Sequence, residues 1–346
     1  MLLQSISTLA SSLSNQDNLQ LNRLKLEDAQ TELSTGRYAD VNLHLGSNVS
    51  RNLNWRLNLS EVQNFLDNNA QADGKANATQ AALESVKSTG NNFMSMLTGV
   101  RGAQNGQTLI KQDAIYAFGG LRDAVNTAYA GQYVMGGLNT ADPPAKDYKN
   151  GAAEAAFDTV FQAQFGFAKT NPQAKNITPA QMTAFLNGPF DNLFQGSNWN
   201  TNWSNATSTN LQTQIDTTQR VDINANAGEQ PMKAMMQGII AVMDAGTGNL
   251  NQSTFQTVVD YAFSKTGSAV QGVGEMESRI GEGQQMISQV TDKLNAKKNI
   301  VQLQIQNTEG VDAASVSVRI NSLMSQMEAS YTVTGKLAKL NLASYL

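Results

Sequence analysis

The sequence predicts a mainly α-helical chain in which long antiparallel helical rods and terminal coiled-coil arms carry a small inserted α+β domain. Three observations lead there. All six prolines (Pro143, Pro144, Pro172, Pro179, Pro189 and Pro231) lie in the middle of the 346 residues, leaving 142 proline-free residues before them and 115 after. Proline removes a helix hydrogen bond and clashes with the preceding turn, so two long proline-free arms suit continuous helix. In both arms apolar residues recur at alternating spacings of three and four, the rhythm of a coiled-coil seam. Trp199 and Trp203, two of the three tryptophans, sit in the proline-containing middle, as suits a compact insertion. The predicted division is terminal arms at 1–40 and 308–346, a helical rod at 41–142 and 232–307, and a variable outer domain at 143–231.

The first arm opens with Leu2, Ile6, Leu9 and Leu13. Its phase slips in the polar run Ser14-Asn15-Gln16-Asp17-Asn18, resumes through Leu19, Leu26, Ala29 and Leu33, and stops at Thr35-Gly36. Residues 38–60, with several asparagines and the pair Arg51 and Arg56, read as a turn followed by short helical pieces. A rod follows on Ala76, Thr79, Leu83, Val86, Gly90, Phe93, Leu97 and Val100, then a second segment on Ile110, Ala114, Ala117, Leu121, Ala124 and Ala128. In the middle, residues 180–186 suit a helix. Leu211, Thr213 and Ile215, then Val221 and Ile223 across a polar turn, suit a hairpin.

Met232, Met236, Ile239 and Met243 predict a short amphipathic helix. Thr266, Ala269, Val273, Met276, Ile280, Gly283, Ile287, Val290, Leu294 and Val301 predict a long one. The final stretch repeats the opening rhythm on Val316, Ile320, Leu323 and Met327, continues through Leu337 and Leu340, and reaches Tyr345-Leu346. A helix with one apolar stripe is marginal alone, so both ends are expected to bury their stripes against each other or another copy.

Several function classes fall away. A net charge of −4 with scattered Lys and Arg provides no cationic patch for nucleic acid. No run of eighteen apolar residues suits a bilayer span, and the first cation is Arg23, so a chain exported without a cleaved signal, or not exported, is expected. There is no cysteine, and the single histidine, His44, lies between Leu43 and Leu45, where packing or surface exposure explains it. Glu275, Glu277 and Glu282 suit a solvated helix face better than a metal site. Gly272 and Gly274 begin a phosphate-loop pattern without completing it. Trp199 and Trp203 suit the core of the insertion, with a sugar-stacking platform as the sharper alternative. No enzyme, cofactor or metal is predicted.

Three strings resemble the flagellin superfamily, and within it the members at the hook–filament junction. Leu33-Ser34-Thr35-Gly36-Arg37 is similar to the break that closes that family's first helix. The string from Ala130-Gly131-Gln132-Tyr133-Val134-Met135-Gly136-Gly137 to Pro143-Pro144 is similar to its glycine-rich turn, with Ala130 for the usual Asn and Met135 for the usual Phe. Glu309-Gly310-Val311-Asp312, Met327-Glu328-Ala329-Ser330-Tyr331 and the final Tyr345-Leu346 are similar to its junction-type ending. The string Asn198-Trp199-Asn200-Thr201-Asn202-Trp203-Ser204 looks like middle domains of alphaproteobacterial relatives.

The resemblance implies a structural flagellar subunit exported through the type III apparatus. It implies a ring between hook and filament, with copies of itself, the adjacent hook-associated protein and flagellin as partners, and an export chaperone on the C-terminal helix. The assembly residues it implies are Leu2, Ile6, Leu9, Leu13, Val316, Ile320, Leu323, Met327, Leu337, Leu340, Tyr345 and Leu346. The stripe at 316–327 is expected to meet the stripe at 2–13 only on assembly, so that Ile320→Asp would leave the monomer's melting unchanged. A filament flagellin, and a surface adhesin binding carbohydrate through Trp199 and Trp203, are the alternatives.

Overall fold

A computed structural model describes residues 2–103, 106–210, 212–245 and 248–343. Side chains of residues 2–9, 11–12 and 337–343 lie outside the described set. The chain is mainly helical, its long helices packing antiparallel, with two small two-stranded sheets among the described residues. It divides into two compact units, Met1–Asn64 with Lys293–Leu346, and Phe65–Asp292.

In the first unit, α1 (Leu2–Thr35) ends where Gly36 takes φ +67°, the left-handed conformation that terminates many helices. Asp40 caps the short α2 (Val41–Leu45) by accepting the Leu43 N–H at 2.9 Å. After one 3₁₀ turn, α3 (Val49–Val100) begins, well ahead of the short pieces expected through residue 60. Its inward positions keep the three-four rhythm through Val49, Asn52, Trp55, Leu59 and Val62, but Asn52 is polar and so hides the helix start. Asn52 is buried and satisfied, donating to Thr308 Oγ1 and accepting from Arg56 Nε, both at 3.2 Å.

In the second unit, α3 buries Leu83, Val86, Phe93 and Leu97. The helix α4 (Gly106–Val125) buries Ile110, Ala114, Phe118 and Leu121. A hairpin of β1 (Ala128–Tyr129) and β2 (Gln132–Tyr133) turns on Ala130 and Gly131, both at positive φ. That is the geometry of a type I′ turn, which favours Asn-Gly.

The insertion holds α5 (Ala152–Phe165), α6 (Pro179–Phe185), a single turn α7 (Gly196–Asn198) and the antiparallel pair β3 (Gln212–Gln214) and β4 (Arg220–Asp222). The hairpin stands where the alternation predicts it, with Ile215, Val221 and Ile223 buried; Leu211 lies outside the described residues. Helix α5 went unpredicted although Ala153, Phe157 and Phe161 repeat at four, because three contacts do not outweigh the surrounding prolines. Phe157 packs edge to face on Phe185 and Phe190, and Phe161 on Phe185, with centroids 5.5–5.9 Å apart.

Two helices close the unit: α8 (Gln230–Asp244) and α9 (Gln252–Glu309). Every residue of α8 from 234 to 244 is buried, so the single face predicted for it is a correction. Its other sides carry Met235, Ile240, Ala241 and Val242, and its polar side is buried too, where Gln237 donates to Asp191 at 2.9 Å and Asp244 pairs with Lys169 at 2.9 Å. Gly238 permits the approach of α9, since a Cβ there would stand 2.5 Å from Thr266 Oγ1.

A candidate assembly interface on the paired terminal helices

Helix α10 (Ala313–Ala343) runs back along α1 within the same chain. The connection fixes how. Val311 N–H donates to Gly36 O at 3.1 Å, Tyr38 N–H donates to Glu309 O at 3.0 Å, and Arg37 bridges Gly310 in antiparallel fashion. The end of α1 therefore lies beside the start of α10. Asp312 caps α10, accepting from Ala314 N–H at 3.0 Å and Ser315 Oγ at 2.9 Å, and these bonds hold its carboxyl below the usual range, the Ala314 bond first.

One seam joins the helices: Ala29, Val316 and Leu323 are buried, with Leu26, Val311 and Ile320 packed against them. An ion pair between the buried Glu32 and Arg319 pins the register. Beneath the turn, the Glu309 side chain is 1% exposed and takes both Nε and a terminal nitrogen of Arg56, at 2.9 and 2.5 Å, and a terminal nitrogen of Arg37 at 2.6 Å. Burial, the largest single influence, raises the Glu309 pKa. Hydrogen bonds from Arg56 and Asn52 and the two guanidinium charges outweigh it and leave the pKa below the ordinary carboxylate value.

The predicted interface residues fall in three groups. Val316 and Leu323 are buried and Ile320 and Met327 half-buried, inside one chain. Leu13 is 53% exposed. For Leu2, Ile6, Leu9, Leu337 and Leu340 only the helical backbone is described, and Tyr345 and Leu346 lie outside the described residues. The cover over residues 316–323 is Leu26 and Ala29 and not residues 2–13, because the short Gly36 to Val311 connection sets the pairing from the other end of α1. What the seam leaves uncovered is extensive. Leu21, Leu24 and Leu33 on α1, and Val318, Met324, Tyr331 and Val333 on α10, are 43–69% exposed.

The Glu309 cluster was missed as a unit, though its parts were visible. Arg37 and Glu309 sit in two of the strings that carry the resemblance, and those strings meet here. Other candidates resolve as structural. His44 is exposed and stacks on Tyr38 with ring centroids 3.5 Å apart. Trp199 and Trp203 are each 2% exposed; Trp203 donates to Leu193 O at 2.8 Å and stacks on Phe194, which leaves no platform for a sugar. Glu275 and Glu282 are solvated, while Glu277 pairs with Lys87 at 2.8 Å. Among the described residues no group of three His, Cys, Asp or Glu is placed to hold a metal, and no helix is long and apolar enough to cross a membrane.

Comparison with known proteins follows the same lines. The model of the bacterial flagellin N-terminal helical region matches residues 6–140, and that of the bacterial flagellin C-terminal helical region matches residues 263–346. No curated protein matches the chain. A Vibrio parahaemolyticus structure assigned as a flagellar hook-associated protein is similar, with a TM-score of 0.51 at 10% identity over 74% of this chain and 95% of that one. At that identity the likeness is one of fold.

Proposed function

The chain belongs to the flagellin family, whose members are structural and not enzymatic parts of the extracellular flagellum, and from that premise we propose that it is a hook–filament junction subunit of the hook-associated protein 3 type. The observation that carries this reading is the ending, Met327-Glu328-Ala329-Ser330-Tyr331 through Tyr345-Leu346, which is similar to junction members; filament flagellins usually finish in a Gln-Ala-Asn-rich helix. On this reading the terminal arms at 1–40 and 308–346 pack into a ring of subunits, the rod at 41–142 and 232–307 lies outside them, and residues 143–231 project outward. Leu2, Ile6, Leu9, Leu13, Val316, Ile320, Leu323, Met327, Leu337, Leu340, Tyr345 and Leu346 contribute to the arm contacts. The neighbours are further copies, the adjacent hook-associated protein and flagellin. A cytosolic chaperone holds the C-terminal helix before export.

The apolar side chains left exposed on α1 and α10 support assembly, because among the described residues the shared seam leaves Leu13, Leu21, Leu24 and Leu33 in water. The test is a deletion strain viewed by electron microscopy. Hooks without attached filaments, restored by the wild-type gene, are expected. Full filaments growing directly on hooks would overturn the proposal.

A further inference from the structure

Helix α1 has a second face. Leu13, Asp17, Leu21, Leu24 and Asp28 recur at four, four, three and four, which places them along one side of a helix. All five are exposed, and the side they share faces away from the Leu26 and Ala29 seam that meets α10. The stripe combines leucines with carboxylates and contains no Lys or Arg; Arg23 and Lys25 flank it on either side. Neither Asp17 nor Asp28 has an ion-pair partner among the described residues.

A surface of opposite charge and similar apolarity lies at the start of α3. There a cavity of about 280 Å³ is lined by Val41, Leu45, Val49 and Leu53 together with Asn42, Asn52, Arg37, Arg56 and Glu309. Both guanidiniums share the single carboxylate of Glu309, so one positive charge is uncompensated. The arginine side chains are 47% and 44% exposed and reach solvent. Leu53 and Leu57, at 55% and 60% exposed, extend the apolar wall outward.

We infer that the acidic leucine stripe of α1 in one copy docks on the Arg37 and Arg56 cavity of a second copy, Leu24 entering the aliphatic walls and Asp28 meeting the spare guanidinium charge. The inference rests on reading the chain as a self-assembling subunit. It goes further, because it names the two patches that meet: they are different surfaces, so each docked pair still presents one free stripe and one free cavity, and the series closes as a ring or continues as a helix. The charges fix which register is accepted, and the leucines supply the burial.

The chain has no cysteine, so Leu24→Cys and Leu53→Cys each introduce a unique thiol. The full-length variants are mixed, allowed to assemble and oxidised mildly. The expected result is a disulfide joining a Leu24→Cys copy to a Leu53→Cys copy, at least about ten-fold above the dimer formed by either variant alone, since a disulfide needs Cα atoms within roughly 7 Å. Asp17→Lys with Asp28→Lys should remove most of that cross-link and slow assembly, with the wild-type rate falling as salt rises. Normal assembly without the mixed disulfide overturns the inference and leaves the junction reading intact. Equal cross-linking of Leu24→Cys to itself overturns it too, in favour of a symmetric contact. A wild-type chain that never associates overturns it together with the reading beneath.

Discussion

Replacing Glu309 by Gln should open the turn that joins α1 to α10. The wild-type carboxylate is sealed and shared by two guanidiniums, with Arg56 at 2.5 and 2.9 Å and Arg37 at 2.6 Å. Cutting a fully buried ion pair costs about 3–5 kcal/mol. Here Gln keeps one acceptor oxygen, and both arginines are nearly half exposed, so water recovers part of the loss. About 2 kcal/mol remains, or roughly a thirty-fold increase in local opening. Hydrogen exchange reads this directly at the Tyr38 and Val311 amides, which donate across the turn, and amides of α8 serve as the internal reference. The effect carries a pH signature. Because the folded-state pKa lies below the unfolded value of about 4.3, the carboxylate's contribution is complete above that value and disappears as pH falls through the folded pKa. The difference between wild type and Glu309→Gln should therefore be flat above about pH 5 and shrink below it. Unchanged exchange at both amides at neutral pH, or equal acceleration in α8, would refute the clasp.

Four further outcomes are expected. Ile320→Asp should destabilise the α1 and α10 pair of the isolated chain by about 2–3 kcal/mol, because Ile320 packs on Ala29, Val316 and Leu323 within one molecule; unchanged exchange along α10 would return its burial to assembly alone. Ala130→Asn should raise the stability of the second unit by about 0.5 kcal/mol in urea unfolding, since Ala130 holds φ 49° in a turn that prefers Asn-Gly. Gly137→Ala should cost more than Gly131→Ala, about 3 against about 1 kcal/mol. Both glycines have positive φ, but a Cβ at Gly137 would also meet Thr207 Oγ1 at 2.5 Å and Thr209 O at 2.7 Å, whereas Gly131 faces open space. Tyr148→Phe should lower stability by about 1–2 kcal/mol in the same assay, because the buried Tyr148 hydroxyl donates to Asp244, which also receives Lys169 at 2.9 Å.

Helices were legible wherever their inward positions were apolar and their outward positions polar. The pattern failed in three ways, each with a physical cause. Asn52 occupies an inward position of α3 and is satisfied by Thr308 and Arg56, so burial there carries no hydrophobic signal. Helix α8 is buried on every side from residue 234 onward, its polar Gln237 and Asp244 included, so four methionine and isoleucine positions at seam spacing described only part of what it buries. In the insertion, Phe157 and Phe161 depend on Phe185 and Phe190, which arrive from a later segment, and no local window contains that cluster. The interface shows the same limit. Spacing identified Val316 and Leu323 as residues that seek burial, yet spacing fixes a face and not a register. Gly36, Val311 and the Glu32 to Arg319 pair select Leu26 and Ala29 as the cover.

The Glu309 cluster also changes what the resemblance means. Two short strings separated by some 270 residues of sequence form one contact: Gly36 supplies the left-handed turn, Arg37 reaches Glu309, and Val311 donates back to Gly36. The clasp holds the near ends of two helices of 34 and 31 residues, and beyond it, among the described residues, the helices share one seam of a few apolar side chains. Isolated helices of this kind are marginal, and most of the exposed apolar residues of α1 and α10 gain nothing from the pairing. The pair is thus specified within the chain and incompletely stabilised by it. Ile320→Asp and Leu24→Cys probe the two halves of that statement, the first on the seam already closed and the second on the face that another copy would close.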